Sequence, residues 1–374
     1  MNLCLYTATF LPTVGGAELV LHELASALAG RGHRVTVLAP FVRRADNHLE
    51  APYHVRRYQR PSSKRFGVRQ TLLYLLHEYW QRPFDVLHCH GAYPPAYVGA
   101  TLKRLLKIPM VVWPHGSDIL PGEFIRANAR LERRLRRALA TADLIIAQSE
   151  FLKREMLALS VPDEKIRLIP NGVHVAEFQS VTSAPSLPYP YILAMGSFTH
   201  KKGFDVLLRA FASVAAEDAS VHLVMAGAGK ELTAYTALVR AYDMLDRVHF
   251  VGIVGGGCKI QLYQHCLFFV SSSRREPFAV VNLEALAAGK PLVATAVGGN
   301  VEVVSEGGNG FLVPPDDHQA LSRRMLTLLK DPALRAKMAR LSSDLARRYD
   351  WQVILPQYTT VFEEALACHR HYHR

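Results

Sequence analysis

Cysteine is scarce in this 374-residue chain: five residues, an odd number, with no C-x-x-C spacing. That excludes a disulfide frame and a zinc site, so Cys4, Cys89, Cys258, Cys266 and Cys368 read as buried thiols in a reducing compartment. Long apolar runs are missing too. The stretches 109–113 and 266–270 fall far short of the ~20 residues a membrane span requires. No charged side chain precedes Glu18, and Pro12 and Gly15-Gly16 interrupt the first apolar segment, so a secretory signal is not expected. The expected location is cytoplasmic, at most peripheral on the inner face of the cell membrane. The G-x-G-x-x-G fingerprint is absent, which counts against a nicotinamide enzyme. What is there is ordinary for a globular protein: 49% apolar and 20% charged residues, at a length suited to about two domains.

Positive charge is in excess and unevenly placed. The formal net charge is +12; up to residue 185 there are 24 basic against 15 acidic residues, and 20 against 17 after it. One cluster holds Arg56, Arg57, Arg60, Lys64, Arg65 and Arg69 with no acidic residue among them. A second holds Arg126, Arg130, Arg133, Arg134, Arg136 and Arg137, opposed only by Glu132. Leu131, Leu135 and Leu139 fall on one face of a helix there, which puts Arg130, Arg134 and Arg137 on another. Such clusters are either solvated surface or a docking site for an anionic membrane or acceptor. Nucleic acid is disfavoured, because no recognition-helix pattern or stacking motif accompanies the charge.

The element order is that of parallel α/β architecture. A strand over 2–8 leads through Gly15-Gly16 into a helix over 17–29, then a strand over 35–39. Further strands are expected over 86–89, 110–113, 144–147 and 166–169. Between 178 and 190 the composition shifts to Ser, Thr, Ala and Pro, which reads as a linker. The alternation then restarts with strands over 191–195, 222–226, 248–250, 267–270, 291–295 and 311–313. The reading is two Rossmann-like doubly wound domains facing across a cleft. The first covers 1–180 with 355–374 crossing back to it in a final helix, and the second covers 186–354.

Three segments carry candidate chemistry. Gly15 and Gly16 sit in the first strand-to-helix turn, where glycine admits close approach of a ligand and helix amides favour phosphate oxygens. In the second half, Gly196-Ser-Phe-Thr-His-Lys-Lys-Gly203 occupies the equivalent turn and suits a diphosphate, with lysine as a mobile point charge. Glu276 and Glu284 stand eight apart, with Pro277 leading into a helix, and their carboxylates can accept from polyol hydroxyls. His88, His90, His115 and Cys89 raise a metal site, but strand ends account for them better, and no metal is expected.

The string Glu276-Pro-Phe-Ala-Val-Val-Asn-Leu-Glu284, continued by Ala-Leu-Ala-Ala-Gly289-Lys-Pro291, resembles that of the retaining, nucleotide-sugar-dependent glycosyltransferases of family 4, which have the GT-B fold. The family usually has Gly where this chain has Ala279. Gly15-Gly16-Ala17-Glu18, His115-Gly116, Ala147-Gln-Ser149, Ile169-Pro-Asn171-Gly172, Gly298-Gly299 and Trp351 align with it in order. The resemblance implies a sugar transferred from a nucleoside-diphosphate sugar (UDP or GDP) to a glycan or lipid-linked hydroxyl, in cell-surface polysaccharide or glycolipid synthesis. It implies that Lys202 meets the diphosphate and Glu276 the sugar hydroxyls. Amides of Phe278, Ala279 and Val280 would touch sugar and phosphate, Glu284 the ribose, and Val251 and Gly252 the base. From the first half, Gly16 beside Gly15 would face the phosphates and His115 the sugar and acceptor. Family members often carry Arg where this chain has Ser197; either Lys201 takes part, which is the favoured reading, or Arg274 and Arg275 do, or phosphate binding is weaker. The chain contains no D-x-D metal motif, so lysine and helix dipoles would have to meet the leaving charge, with no cofactor beyond the donor. The alternatives are a non-transferring enzyme of this fold, such as an epimerase or phosphorylase, or an inactive partner subunit.

Overall fold

Short continuous runs of Val, Ile, Leu and Ala suit strands covered on both faces, and here they form parallel strands separated by helices. The computed structural model describes all residues except 14, 43–48, 60–66, 181–186 and 373–374. It divides into two units, Met1–Pro170 with Ile354–Arg374, and Asn171–Val353.

The first unit contains strands β1 (Asn2–Thr7), β2 (Arg34–Pro40), β3 (His54–Tyr58), β4 (Val86–His90), β5 (Met110–Trp113), β6 (Leu144–Ala147) and β7 (Ile166–Leu168). Its helices are α1 (Gly16–Gly30), α2 (Gly67–Gln81), α3 (Pro95–Leu106), α4 (Ala129–Thr141) and α5 (Glu150–Ala158). The sheet order is β3-β2-β1-β4-β5-β6-β7, all parallel. The order reverses between β1 and β4, where Thr7 pairs with His90. Loops that leave strand C-termini at such a switch point are where doubly wound sheets hold ligands.

The second unit opens with α6 (Val175–Gln179) and contains β8 (Tyr191–Met195), β9 (His222–Ala226), β10 (Val248–Gly252), β11 (Phe269–Ser271), β12 (Leu292–Thr295) and β13 (Gly310–Val313). Helices α7 (Phe204–Glu217), α8 (Leu232–Ala241), α9 (Gly256–His265), α10 (Val280–Ala287), α11 (Asn300–Val303), α12 (His318–Lys330) and α13 (Pro332–Ala346) follow in chain order. The sheet order is β10-β9-β8-β11-β12-β13, with its reversal between β8 and β11. The last helix, α14 (Trp351–Tyr372), belongs to the first unit from Ile354 onward. Both sheets match the expected fold class.

Two differences from the sequence expectation have clear causes. Strand β3 was not anticipated, because His-Val-Arg-Arg-Tyr carries charge where a buried strand would be apolar; it lies at the sheet edge, paired only with β2. The division between units falls at Pro170–Asn171, ahead of the expected 180–186. Val175 and Phe178 of α6 are buried in the core with Tyr191, Leu193 and Tyr263 of the second unit. Linker residues 181–186 lie outside the described residues. Among the described residues no helix is long and apolar enough to cross a membrane.

The basic clusters are only partly solvated. Arg57 donates to the Leu11 carbonyl at 2.6 Å, and Arg56 lies 3.8 Å from Glu78. Arg60, Lys64 and Arg65 fall outside the described residues. In the second cluster, Arg126 donates to the Ile119 carbonyl and Arg136 pairs with Glu132 at 2.8 Å. Arg134 does not share a solvent face with Arg130 and Arg137: it donates to Tyr93 Oη and lies over the Tyr97 ring of α3. The exposed arginines of this cluster are Arg130, Arg133 and Arg137.

Candidate active site

In the second unit the loops after β8 and β11 are fastened together. A Cβ at Gly203 would sit 2.1 Å from the Ser272 carbonyl oxygen, and its φ of +61° is left-handed, so only glycine lets the two loops approach this closely. Ser272 Oγ donates to the Lys202 carbonyl at 3.0 Å, and the Arg274 amide to the Lys201 carbonyl at 2.7 Å. Lys202 and Glu276 are thereby brought together. Lys202 Nζ lies 2.5 Å from Glu276 Oε2, and Ser273 Oγ donates to the same oxygen at 3.1 Å. Glu276 is only 6% exposed, so its charge is held by these two partners.

Arg274 is engaged elsewhere. Its guanidinium makes a fork to Asp205 at 2.8 and 2.7 Å, reaches Asp316 at 2.6 Å and donates to the His200 carbonyl at 2.8 Å. Burial pushes the Asp205 carboxyl up, but the Arg274 hydrogen bonds outweigh it and hold it below its ordinary value. Arg274 therefore anchors the loop through these contacts. Ser197 is exposed, as is Lys201.

Glu284 lies one turn inside α10 and forms a separate cluster. Lys259 of α9 contacts Oε1 at 2.6 Å, and Tyr263 Oη donates to Oε2 at 2.9 Å and stands 3.1 Å from the Val281 carbonyl. Burial first, and the neighbouring carboxylate second, push the Tyr263 phenol well up, so it remains a donor. Neither Lys259 nor Tyr263 was singled out from sequence; they lie 25 and 21 residues from Glu284, and no motif spacing links them. Phe278 and Ala279 are buried ahead of the α10 N-terminus, whose first amides have no intrahelical acceptor. Ala279 has φ −83°, so the usual glycine is not required there by backbone conformation. Val251 and Gly252 are exposed at the end of β10.

In the first unit, Gly15 precedes α1 and Gly16 begins it. A Cβ on Gly16 would meet nothing within 4 Å, so this chain itself does not require glycine at that position. His90 Nε2 contacts the Ala17 carbonyl at 2.9 Å, tying the end of β4 to this turn. His115 follows β5, and its ring lies 3.9 Å from that of His90, centroid to centroid. Asp118 shapes the turn: one oxygen accepts from the amides of His115 and Gly116 at 3.1 Å, the other from Ala92 at 2.5 Å. Gln148, just past β6, reaches His115 from the other side. Asp118 was missed in the sequence, although its position three residues after His115 is suited to gathering turn amides. His88 and His90 share one face of β4, while Cys89 points oppositely and packs beneath Gly99 of α3. Among the described residues no group of three His, Cys, Asp or Glu side chains is placed to hold a metal ion.

Two family models match the chain in succession: Glycosyltransferase Family 4 over residues 14–177 and Glycosyl transferases group 1 over 177–342. The chain belongs to glycosyltransferase family 4. The phosphatidyl-myo-inositol mannosyltransferase of Mycobacterium leprae is 29% identical over 375 residues, with 93% of each chain covered. The N-acetyl-alpha-D-glucosaminyl L-malate synthase of Bacillus anthracis is 26% identical over 378 residues, covering 96% of each. Among solved structures, sucrose-phosphate synthase from Thermosynechococcus elongatus superposes with a TM-score of 0.87 at 23% identity, covering 98% of this chain and 99% of that one. Anabaena HepE in complex with UDP-glucose gives 0.80 at 22% identity, covering 98% and 100%. The family membership makes this chain a glycosyltransferase of GT-B architecture.

Proposed function

We propose that this glycosyltransferase moves a sugar from a nucleoside-diphosphate sugar to a hydroxyl of a cell-surface polysaccharide or glycolipid precursor, with retention at the anomeric carbon. The observation that carries the reading is the Lys202–Glu276 pair at the switch point of the second sheet, beside the α10 N-terminus. In this reading Lys202 faces the diphosphate and Glu276 the sugar hydroxyls. Glu284 takes the ribose, and Val251 and Gly252 border the base. Amides of Phe278, Ala279 and Val280 add donors, and Ser197 and Lys201 lie on the phosphate side. The family resemblance assigns Gly15 and Gly16 to the phosphates and His115 to the sugar and acceptor. The open space at Gly16 supports a ligand role there, since an added side chain would strike nothing of the protein's own.

The bond broken joins the anomeric carbon to the diphosphate, through an oxocarbenium-like state. Negative charge grows on the leaving group as that bond lengthens. In this reading Lys202 and the α10 helix dipole meet that charge, which is where electrostatic preorganisation acts. The proposal assigns this charge to protein groups rather than to a metal. A lipid-linked acceptor is supported by the name of the mycobacterial relative and by the exposed Arg130, Arg133 and Arg137.

A thermal-shift panel of uridine, guanosine and adenosine diphosphate sugars tests the reading. A donor at 100 times its Kd should add about 2.7 kcal/mol of stability. The best donor is then incubated with polyol and lipid-linked acceptors, and the anomeric configuration of the product is read by nuclear magnetic resonance. A product of inverted configuration refutes retention; a panel with no stabilising member refutes the donor class.

A further inference from the structure

The turn after β5 holds a histidine whose protonation state is set by its neighbour. Gln148 is 3% exposed, and its side-chain nitrogen donates to the Pro114 carbonyl at 2.6 Å while lying 3.2 Å from His115 Nδ1. A carbonyl oxygen can only accept, so the amide cannot be turned over: that would set two acceptors 2.6 Å apart. The second amide proton therefore faces Nδ1, and only a lone pair can receive it. The one remaining ring proton of neutral His115 must sit on Nε2. That nitrogen is buried and has no hydrogen-bond partner among the described residues.

The surroundings keep the ring neutral. The His90 ring lies 3.9 Å away, tilted by 48°, with its own Nε2 on the Ala17 carbonyl, and the Trp113 ring lies 5.0 Å from that of His115. The Asp118 carboxylate accepts from backbone amides of the turn, with both oxygens taken. A second proton on Nδ1 would point at the Gln148 N–H.

The geometry points to Gln148 as a positioning residue that locks His115 in its neutral, Nε2-protonated form, so that His115 donates a hydrogen bond to an oxygen of the bound sugar or acceptor and does not take up a proton. The inference deepens the transferase reading and rests on it for the role of His115, but the lock itself is a property of the unliganded chain. No bond is made or broken by either residue. Because a buried N–H without an acceptor is unfavourable, the site is completed by a ligand oxygen.

The test is long-range proton–nitrogen correlation on the full chain labelled with nitrogen-15 histidine, with the His115 signals assigned from the His115→Asn spectrum. The expected result is a single tautomer, protonated at Nε2, between about pH 5 and pH 8. Gln148→Leu should give a mixture of tautomers, and Gln148→Glu should favour a proton on Nδ1. A wild-type spectrum protonated at Nδ1 overturns the lock without any variant, as does a single unchanged tautomer in folded Gln148→Leu. In transfer assays Gln148→Leu should lower kcat about tenfold while the free nucleoside diphosphate binds as before. His115→Gln, which can offer an N–H near the Nε2 position, should retain more turnover than His115→Asn. Full turnover by both His115 variants, with the tautomer intact, overturns the donor role. Failure of every nucleotide sugar to bind removes the transferase reading, and the spectrum of the lock is unaffected by that outcome.

Discussion

Lys202 Nζ and Glu276 Oε2 stand 2.5 Å apart, so the cation assigned to the donor phosphate and the carboxylate assigned to the donor sugar hold each other before any donor arrives. Neither is interchangeable with a neutral residue. Lys202→Ala leaves a nearly buried carboxylate with only Ser273 beside it, and should lower stability by roughly 1–3 kcal/mol. Transfer should fall at least 100-fold, in line with the ~2.7–4 kcal/mol typical of a lost electrostatic donor. Glu276→Gln should fall comparably while retaining the fold. Near-normal turnover of either folded variant would remove the pair from the reaction.

The Lys259–Glu284–Tyr263 cluster makes a different prediction. Tyr263→Phe deletes the donor to Glu284 Oε2, and Lys259→Met deletes the cation on the other oxygen. Each should weaken binding of a nucleoside diphosphate roughly tenfold, near the ~1.4 kcal/mol of one such bond. Inorganic pyrophosphate, which lacks ribose, should bind both variants as it binds the parent chain. Calorimetry with the two ligands side by side would decide it, and equal losses for both would reassign the cluster.

Arg274 is expected to behave as an anchor. Arg274→Leu should cost about 1–3 kcal/mol of stability at this partly exposed site, through the loss of the Asp205 fork and the Asp316 contact, and so lower the melting temperature. Arg274→Lys should recover only part of that, because an ammonium cannot make the planar fork. Unchanged melting with collapsed donor affinity would instead make Arg274 a phosphate ligand.

Three histidines of the first unit make its stability depend on pH. Burial holds His88 and His115 well below the usual imidazole value and His90 down to about 3, with neighbouring histidines lowering His88 and His115 further. In the unfolded chain each takes up a proton near pH 6.5, while the folded form refuses it. Stability is therefore complete above about pH 6.5 and declines as the pH falls toward the folded values. The slope approaches ~1.4 kcal/mol per pH unit for each proton withheld. Urea midpoints at about pH 7 and pH 5 measure this, and His90→Phe should flatten the dependence. Equal midpoints would contradict it.

Arg130, Arg133 and Arg137 are exposed on or beside one helix. Reversing all three to Glu should leave melting unchanged and reduce sedimentation with vesicles rich in anionic lipid, at ~1 kcal/mol for each lost cation. Equal sedimentation of parent and variant would exclude this surface from membrane docking.

The sheets were readable from the sequence because both faces of each are covered, which forces short apolar runs that glycine-rich turns punctuate. Strand β3 escaped because an edge position tolerates Arg56 and Arg57. At the site, Lys202, Glu276 and Glu284 lie in recognisable strings, whereas their partners come from elsewhere. Tyr263 reaches Glu284 from a neighbouring helix, and Gln148 reaches His115 across 33 residues. Such pairings depend on tertiary placement and leave no local period or spacing to read. Arg134 shows the converse error, since helical phase put it in solvent but Tyr93 and Tyr97 draw it inward.

Helix α14 governs how the gene could be cut. Its first residue, Trp351, fills the space over Gly172 in the second unit, while Phe362 and Tyr358 cover His88 and Trp113 in the first. A fragment ending at residue 170 would therefore be expressed without its own lid of aromatic rings. A chimera that exchanges amino-terminal halves with a relative must exchange the segment Ile354–Arg374 along with them, or inherit a mismatched plug.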